Sequence, residues 1–372
     1  MHPDGGKAIT PFPNLRHAAG HFVLNGVLFL AAVVAGCALL GRCLPFPEVP
    51  LVCDKIEYLA RHGDEYDVLF LGSSRVHSQV MPAIFDRVAG ENGVTVKSFN
   101  AGVAGMVSPE DDYVLEEILR RPHQRLRWIF IEISRLGTGV AREETERFGY
   151  WHDTAHLLLI ARRLRGEALE RLARNPGTTF GARYAVWKET GELLCGHVSH
   201  WWMRAINLGR GAEVLQRRMN EANHRYVPAK SLGKNRDGWM SMDRKRRPMP
   251  EAVRKKFEQT YADRLERPPV KERGDPVSQS ALERLLSTAS RGGATPVLLI
   301  PPATGDSHFY PTEARERELT ILDFSDVRQY AGLFELKHRF DVEHLNTAGS
   351  ELFSQMLALR FVELVKKQRA TP

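Results

Sequence analysis

The stretch on which the fold turns is YDVLFLGSS, Tyr66 to Ser74. Four apolar side chains in a row, Val68 to Leu71, stop at one glycine and two serines. A short apolar run bounded by turn residues reads as a strand buried on both faces, as in parallel sheets. The stop at Gly72 has two readings. It is an ordinary turn, or it presents a hydroxyl at the carboxyl edge of a sheet.

The neighbouring sequence favours a sheet. Residues 66–71 form the first expected strand, and the helical pattern Pro82 to Ala89 follows it. Val94 to Phe99 alternates and ends in Asn100-Ala101-Gly102, a second strand. Ser108-Pro109-Glu110-Asp111 predicts a helix start with Ser108 as N-cap and Pro109 in the first helical position. Arg127 to Ile133 (RWIFIEI) is a third strand. Strands alternating with helices imply β-α-β units and a parallel sheet.

The pattern then breaks. Residues 140–275 read as a helical, polar insertion rich in Arg and Trp, with helices over His156 to Leu172 and Arg183 to Leu208. Lys230 to Pro250 is loop-like and basic, and its DRKRRP run at 243–248 reads as a solvated loop, with polyanion binding as the alternative. Alternation resumes with a helix over Ser278 to Arg291, strands at Thr295 to Ile300 and Leu319 to Phe324, and a closing amphipathic helix, Asn346 to Lys366. The expected division is a leader (1–21), an apolar anchor (22–44), an α/β domain in two parts (45–139 and 276–372), and the insertion between them.

Of the 372 residues, 26% are charged and 43% hydrophobic, ordinary values for a chain with a sizeable core. The net charge of +7 admits an anionic glycan, a membrane surface or nucleic acid as partner. No nucleic-acid-binding signature is present, so nucleic acid is not an expected partner. The four cysteines (Cys37, Cys43, Cys53, Cys195) include no C-x-x-C pair, which argues against zinc. Cys53 and Cys195 are candidates for a disulfide in an exported domain.

Phe22 to Leu40 carries no charged residue, and the apolar run to Leu44 is long enough to cross a bilayer. Lys7 and Arg16 precede it, which places the leader in the cytoplasm and the remainder outside, in the periplasm. A retained signal anchor is the first reading. A cleaved signal peptide and lipidation at Cys37, in Val34-Ala35-Gly36-Cys37, are the alternatives. A buried core helix fits the length and terminal position poorly.

Three segments would meet at the carboxyl edge of such a sheet, where open α/β folds place their sites. They are Gly72-Ser73-Ser74, the block Asn100 to Gly105 (NAGVAG), and Asp341-Val342-Glu343-His344-Leu345-Asn346. A serine needs a base to become a nucleophile, and a histidine needs a carboxylate to fix its tautomer. Asp341 and His344, three apart, suit that pairing. Glycine N–H groups can receive a developing oxyanion without a side chain in the way. His77, three residues after Ser74, competes for the part of base, but its place on the next helix argues against it.

These blocks resemble the SGNH (GDSL-type) hydrolase superfamily. The resemblance covers roughly residues 66–135 and 290–366 and leaves the insertion outside. It implies a three-layer α/β/α, flavodoxin-like domain. It maps the nucleophile onto Ser74, base and orienting acid onto His344 and Asp341, and oxyanion donors onto Ser74 and Gly105. The family's third block supplies an asparagine, whereas here the strand ends Ile133-Ser134-Arg135, so Ser134 or Arg135 stands in as the expected third donor, or only two backbone donors remain. Arg75, Asn100, Arg135 and Trp151 are candidate substrate contacts. An anchor followed by such a domain is similar to envelope-glycan branches of the family, alginate O-acetylation-like and D-alanyl transfer-like. The expected function is a serine esterase or O-acyl (acetyl) transferase on an envelope or exported polysaccharide. It would need no metal or organic cofactor, and a membrane acyltransferase is a candidate partner. The alternative is a non-catalytic scaffold or glycan-binding protein in an export or acylation complex.

Overall fold

A computed structural model describes residues 15–44, 46–47, 49–121, 123–134, 136, 146–207, 210–222, 231–245, 249–274, 276–305 and 307–370. The first helix, α1 (Leu15–Cys43), contains a 23-residue apolar segment, Ala19–Gly41, none of which is buried. That helix is long and apolar enough to cross a membrane. Its exposure removes the core-helix reading, because a core helix would be covered.

Five strands form one parallel sheet: β1 (Val68–Leu71), β2 (Ser98–Asn100), β3 (Trp128–Glu132), β5 (Thr295–Ile300) and β7 (Ile321–Asp323). Their order is β2-β1-β3-β5-β7. Both faces are covered, which explains the continuous apolar runs. Leu69, Leu71, Ile129, Ile131 and Leu298 face a core built with α2 (Val52–His62), α5 (Glu110–Leu119) and α10 (Pro276–Arg291). Phe70, Phe130, Val297 and Leu299 face the opposite core, with α4 (Pro82–Glu91) and α12 (Thr347–Ala370).

The expected helix start at Ser108 is corrected by one residue. Pro109 occupies the N-cap position and α5 begins at Glu110, so Ser108 caps nothing. A second, two-stranded parallel sheet was not legible in the sequence: β4 (Val270–Arg273) pairs with β6 (Ser307–Tyr310). A short helix, α11 (Glu313–Glu318), follows it.

The insertion is helical, with α6 (Thr154–Arg174), α7 (Phe180–Ala205), α8 (Arg210–Ala222) and α9 (Glu251–Glu266). Polar contacts dock it on α5 and on the segment after β3. Arg163 donates to Leu136 O, past β3, at 3.0 Å, and Tyr150 donates to Glu110 of α5 at 2.5 Å. His156, fully buried, sits between Asp153 (2.8 Å) and Asp112 (3.4 Å). Burial alone would lower the His156 pKa, but the two carboxylates outweigh it and lift the value to about 9. The folded-state value is raised, so this stabilisation is fully present below the unfolded value of 6.5 and lost as pH rises through about 9. Its size is about 3 kcal/mol. The detergent-solubilised chain should therefore lose stability across that window, and His156→Gln should flatten the loss. An unchanged slope in the variant would contradict the assignment.

Lys230 to Pro250 reads as loop-like, and its described part, 231–245, is largely irregular and forms a strap over edge strand β2. Asn100 donates its N–H to Asp237 O (2.8 Å), Trp239 Nε1 donates to Ser78 O (2.9 Å), and Asp243 accepts from the Thr347 N–H (2.6 Å). Such a strap satisfies an edge that would otherwise be open to pairing with another chain. Arg246, Arg247 and Pro248 of the basic run lie outside the described residues.

No disulfide joins Cys53 and Cys195, which corrects that expectation. Cys53 is buried in α2, where its thiol meets Asp54 at 3.9 Å, while Cys195 is exposed on α7.

Candidate active site

The site is built at the carboxyl edge of β1. Gly72 is required there by close approach: a Cβ would stand 2.7 Å from the Glu132 Cβ and 2.4 Å from a Val76 methyl. Ser73 caps the short helix α3 (Ser74–Gln79), accepting from the Arg75 N–H at 3.4 Å. Ser74 is thus the first residue of α3, half-buried, and its own N–H has no acceptor among the described residues.

Ser74 Oγ lies 2.8 Å from His344 Nε2. His344 Nδ1 lies 3.0 Å from each Asp341 oxygen. Asp341 Oδ1 also accepts the Glu343 N–H (2.8 Å) and the His344 N–H (2.7 Å), which fixes the loop. Burial would raise the Asp341 pKa, but His344 and those two N–H groups outweigh it and hold the carboxyl below its usual range. An ionised Asp341 selects the tautomer with hydrogen on Nδ1, leaving Nε2 to accept the Ser74 proton. Asn346 closes the loop by capping α12, its Oδ1 accepting the Gly349 N–H at 2.9 Å.

His77 turns away from this group. Its Nδ1 is 3.1 Å from Lys55 Nζ. Lys55, fully buried on α2, also donates to Asn100 O (2.8 Å) and Gly102 O (2.6 Å). Burial pushes its pKa well below the usual lysine value, against the opposing pull of Asp237. Lys55 thereby ties the second glycine block to α3. Lys55→Met would orphan two buried carbonyls at a cost of about 2–4 kcal/mol. Urea unfolding should show it, and a loss below about 1 kcal/mol would contradict the role.

The structure corrects four expected contacts. Asn100 is fully buried and makes an internal brace: Nδ2 donates to Val76 O and Val80 O, each at 2.7 Å, and Oδ1 accepts the Gly102 N–H at 2.9 Å. With those bonds made, it has nothing to offer a substrate. Arg75 is buried, and its Nη2 serves Glu132 and Ser134, each at 3.0 Å. Ser134 gives its one hydroxyl proton to Glu132 Oε1 at 2.8 Å, so that proton is spent and cannot serve an oxyanion. Trp151 is 2% exposed, stacked on His152 inside the core, and lines no open surface. Arg135 lies outside the described residues.

Gly105 is exposed with φ of 76°, a left-handed conformation natural to glycine. The Val103 N–H donates to Gly72 O at 2.8 Å and holds this loop beside the Ser74 turn.

Glu132 was missed from the sequence. Its Oε2 accepts the Ser73 N–H at 2.7 Å, beneath the Ser74 turn. Burial would raise its pKa, but Arg75 and the Ser73 N–H outweigh that and keep it below 4.5. A lone acid inside the apolar run RWIFIEI was the available signal, because an ionisable group on a buried strand needs a partner.

No protein-family model matches this chain, and no curated protein matches it.

Proposed function

We propose that the chain is a membrane-anchored serine acyl-transfer enzyme of SGNH type, acting outside the cytoplasm on the ester groups of an envelope or exported polysaccharide. The observation that carries the reading is the linear relay Asp341–His344–Ser74, with hydrogen-bond distances at both links. Further support comes from the strand order, which is that of flavodoxin-like sheets, with Ser74, His344 and Asp341 at the carboxyl edge.

The chemistry follows from the geometry. Ser74 Oγ attacks the acyl carbonyl as its proton passes to His344 Nε2. Asp341 stabilises the imidazolium that forms. The carbonyl oxygen, now negative, is met by the Ser74 N–H and the Gly105 loop. Collapse breaks the ester bond, and His344 Nε2 returns the proton to the leaving alcohol. Water or a second hydroxyl then gives its proton to Nε2 and attacks the Ser74 ester; the bond from the acyl carbon to Ser74 Oγ breaks, and Nε2 returns that proton to Oγ, restoring the serine. The His344 and Asp341 side chains are 18% and 33% exposed, which leaves the relay within reach of a polymer.

The test uses an activated acetyl ester as donor, with and without acceptor polysaccharide. Acetyl recovered on Ser74, and then in acetate or on the polymer, supports the proposal. Absence of acetyl-Ser74 in folded protein refutes it. The scaffold reading is favoured by one observation, the commitment of Ser134 to Glu132, which leaves backbone donors alone for the oxyanion. A scaffold would bind glycan and leave Ser74 unmodified.

A further inference from the structure

Helix α7 runs for 26 residues, and its inner side packs on α6 and on residues 146–151. Its outer side is not uniformly polar. Phe180, Tyr184, Trp187, Cys195, Val198 and Trp202 recur at helical spacing along its whole length, and all are exposed. Phe180 at one end is 86% exposed and Trp202 at the other 51%. Of the charged residues of this helix, Lys188 and Glu192 lie along one border of the stripe, exposed Arg183 lies on its other border, Glu189 turns toward α6 and pairs with Arg171 at 2.9 Å, and Arg204 reaches Tyr113 and Asp153. Continuous exposed apolar stripes of this kind mark contact surfaces.

The end of α7 shows where that surface belongs. Cys37 of α1 donates its thiol hydrogen to Ile206 O at 3.5 Å, and Asn207 Nδ2 donates to Cys37 O. A Cβ at Gly41 would stand 3.3 Å from the Asn207 side chain. Cys37 and Gly41 form the last turn of the apolar segment Ala19–Gly41. The α7–α8 junction therefore sits at the edge of the bilayer that α1 would cross. Trp202 occupies the last turn of α7 and is exposed, at the depth where indole rings gather in membranes, while Trp201 beside it turns inward and donates its Nε1–H to Thr154 of α6 at 3.2 Å. Beyond the junction, α8 again exposes Leu215 and Met219 one turn apart, with Arg218 exposed beside them.

Burial of α7 within the hydrocarbon is excluded by Lys188, Glu189 and Glu192. A stripe needed only at the anchor would end near Val198, yet it continues to Phe180. We propose that α7 and α8 lie in the headgroup layer of the membrane crossed by α1, apolar faces toward the acyl chains, as a second hold on the bilayer. The inference rests on the anchor reading. A single spanning helix is a tether free to rotate, whereas a second contact fixes the direction in which the Ser74 edge faces.

The test uses the full chain in proteoliposomes of phosphatidylethanolamine and phosphatidylglycerol, with an NBD reporter on one cysteine at a time. Cys195 is a native site for it, and Phe180→Cys, Trp202→Cys, Glu189→Cys and Val33→Cys supply the others in a background lacking the remaining accessible thiols. Lipids carrying a shallow doxyl group should quench reporters at 180, 195 and 202 to within about twofold of one another, and the Glu189 position far less. Quenching that fades from 202 toward 180, while position 33 is quenched by deep doxyl groups, would overturn the inference and leave the anchor intact. Reporters at 180 and 195 that change only with protein concentration would assign the stripe to a second copy, which also overturns it. Loss of quenching at position 33 would overturn the anchor itself, and the inference with it.

Discussion

Ser74→Ala should lower turnover of an activated acetyl ester by about 10³- to 10⁶-fold, and His344→Ala should do the same. The two side chains act as one device. His344 Nε2 is the only base within 2.8 Å of Ser74 Oγ among the described contacts, and without it the hydroxyl keeps its proton. The double variant should therefore be about as slow as either single one, not slower by the product. Initial rates on the three purified proteins check this. Multiplicative losses would show that Ser74 and His344 contribute separately, and the relay would have to be abandoned. Neither substitution should unfold the chain, because both side chains sit at the sheet edge and are only partly buried.

Glu132→Ala should be the most destabilising single change at the site, costing about 3–5 kcal/mol. The reason is what it leaves behind. Arg75 would keep its charge at 7% side-chain exposure and lose its 3.0 Å carboxylate partner, with only Glu343 at 3.7 Å remaining. The Ser73 N–H would also lose its acceptor, loosening the turn that carries Ser74. Replacing both partners, Arg75→Met with Glu132→Leu, should cost less than the sum of the single changes. The folded-state pKa of Glu132 is depressed, so the stability this pair contributes is present above about 4.5 and is lost as pH falls below it. Urea midpoints for the three variants at neutral pH decide the matter, and a loss under about 1 kcal/mol for Glu132→Ala would contradict the pairing.

Much of the architecture could be read from the chain because the sheet is buried on both sides. Such strands are short apolar runs, and Thr295–Ile300 has the same bounds in sequence and structure. The others shrank by two or three residues, and Val94 to Phe99 shifted as well, since pairing begins only at Ser98 and extends to Asn100. β4 stayed hidden because Val270–Arg273 is exposed throughout and carries no apolar pattern. The strap over β2 stayed hidden for a different reason. The Asp237 carbonyl, the Trp239 indole and the Asp243 carboxylate all meet backbone groups of Asn100, Ser78 and Thr347, and no side-chain pattern announces such partners. At the site, Ser74, His344 and Asp341 were legible because their chemistry depends on residue type. Arg75, Asn100 and Trp151 were misassigned because residue type does not say which way a side chain faces. Lys55 gave no signal, since one lysine on an amphipathic helix normally reaches water.

The central claim is that Ser74 is an activated nucleophile. Its most direct test is intact-protein mass spectrometry of the full chain after exposure to a fluorophosphonate, with Ser74→Ala and His344→Ala alongside. The relay predicts a single phosphonyl adduct on Ser74 in the native protein and none in either variant. A folded native protein that stays unmodified, or an adduct that survives in His344→Ala, would contradict it.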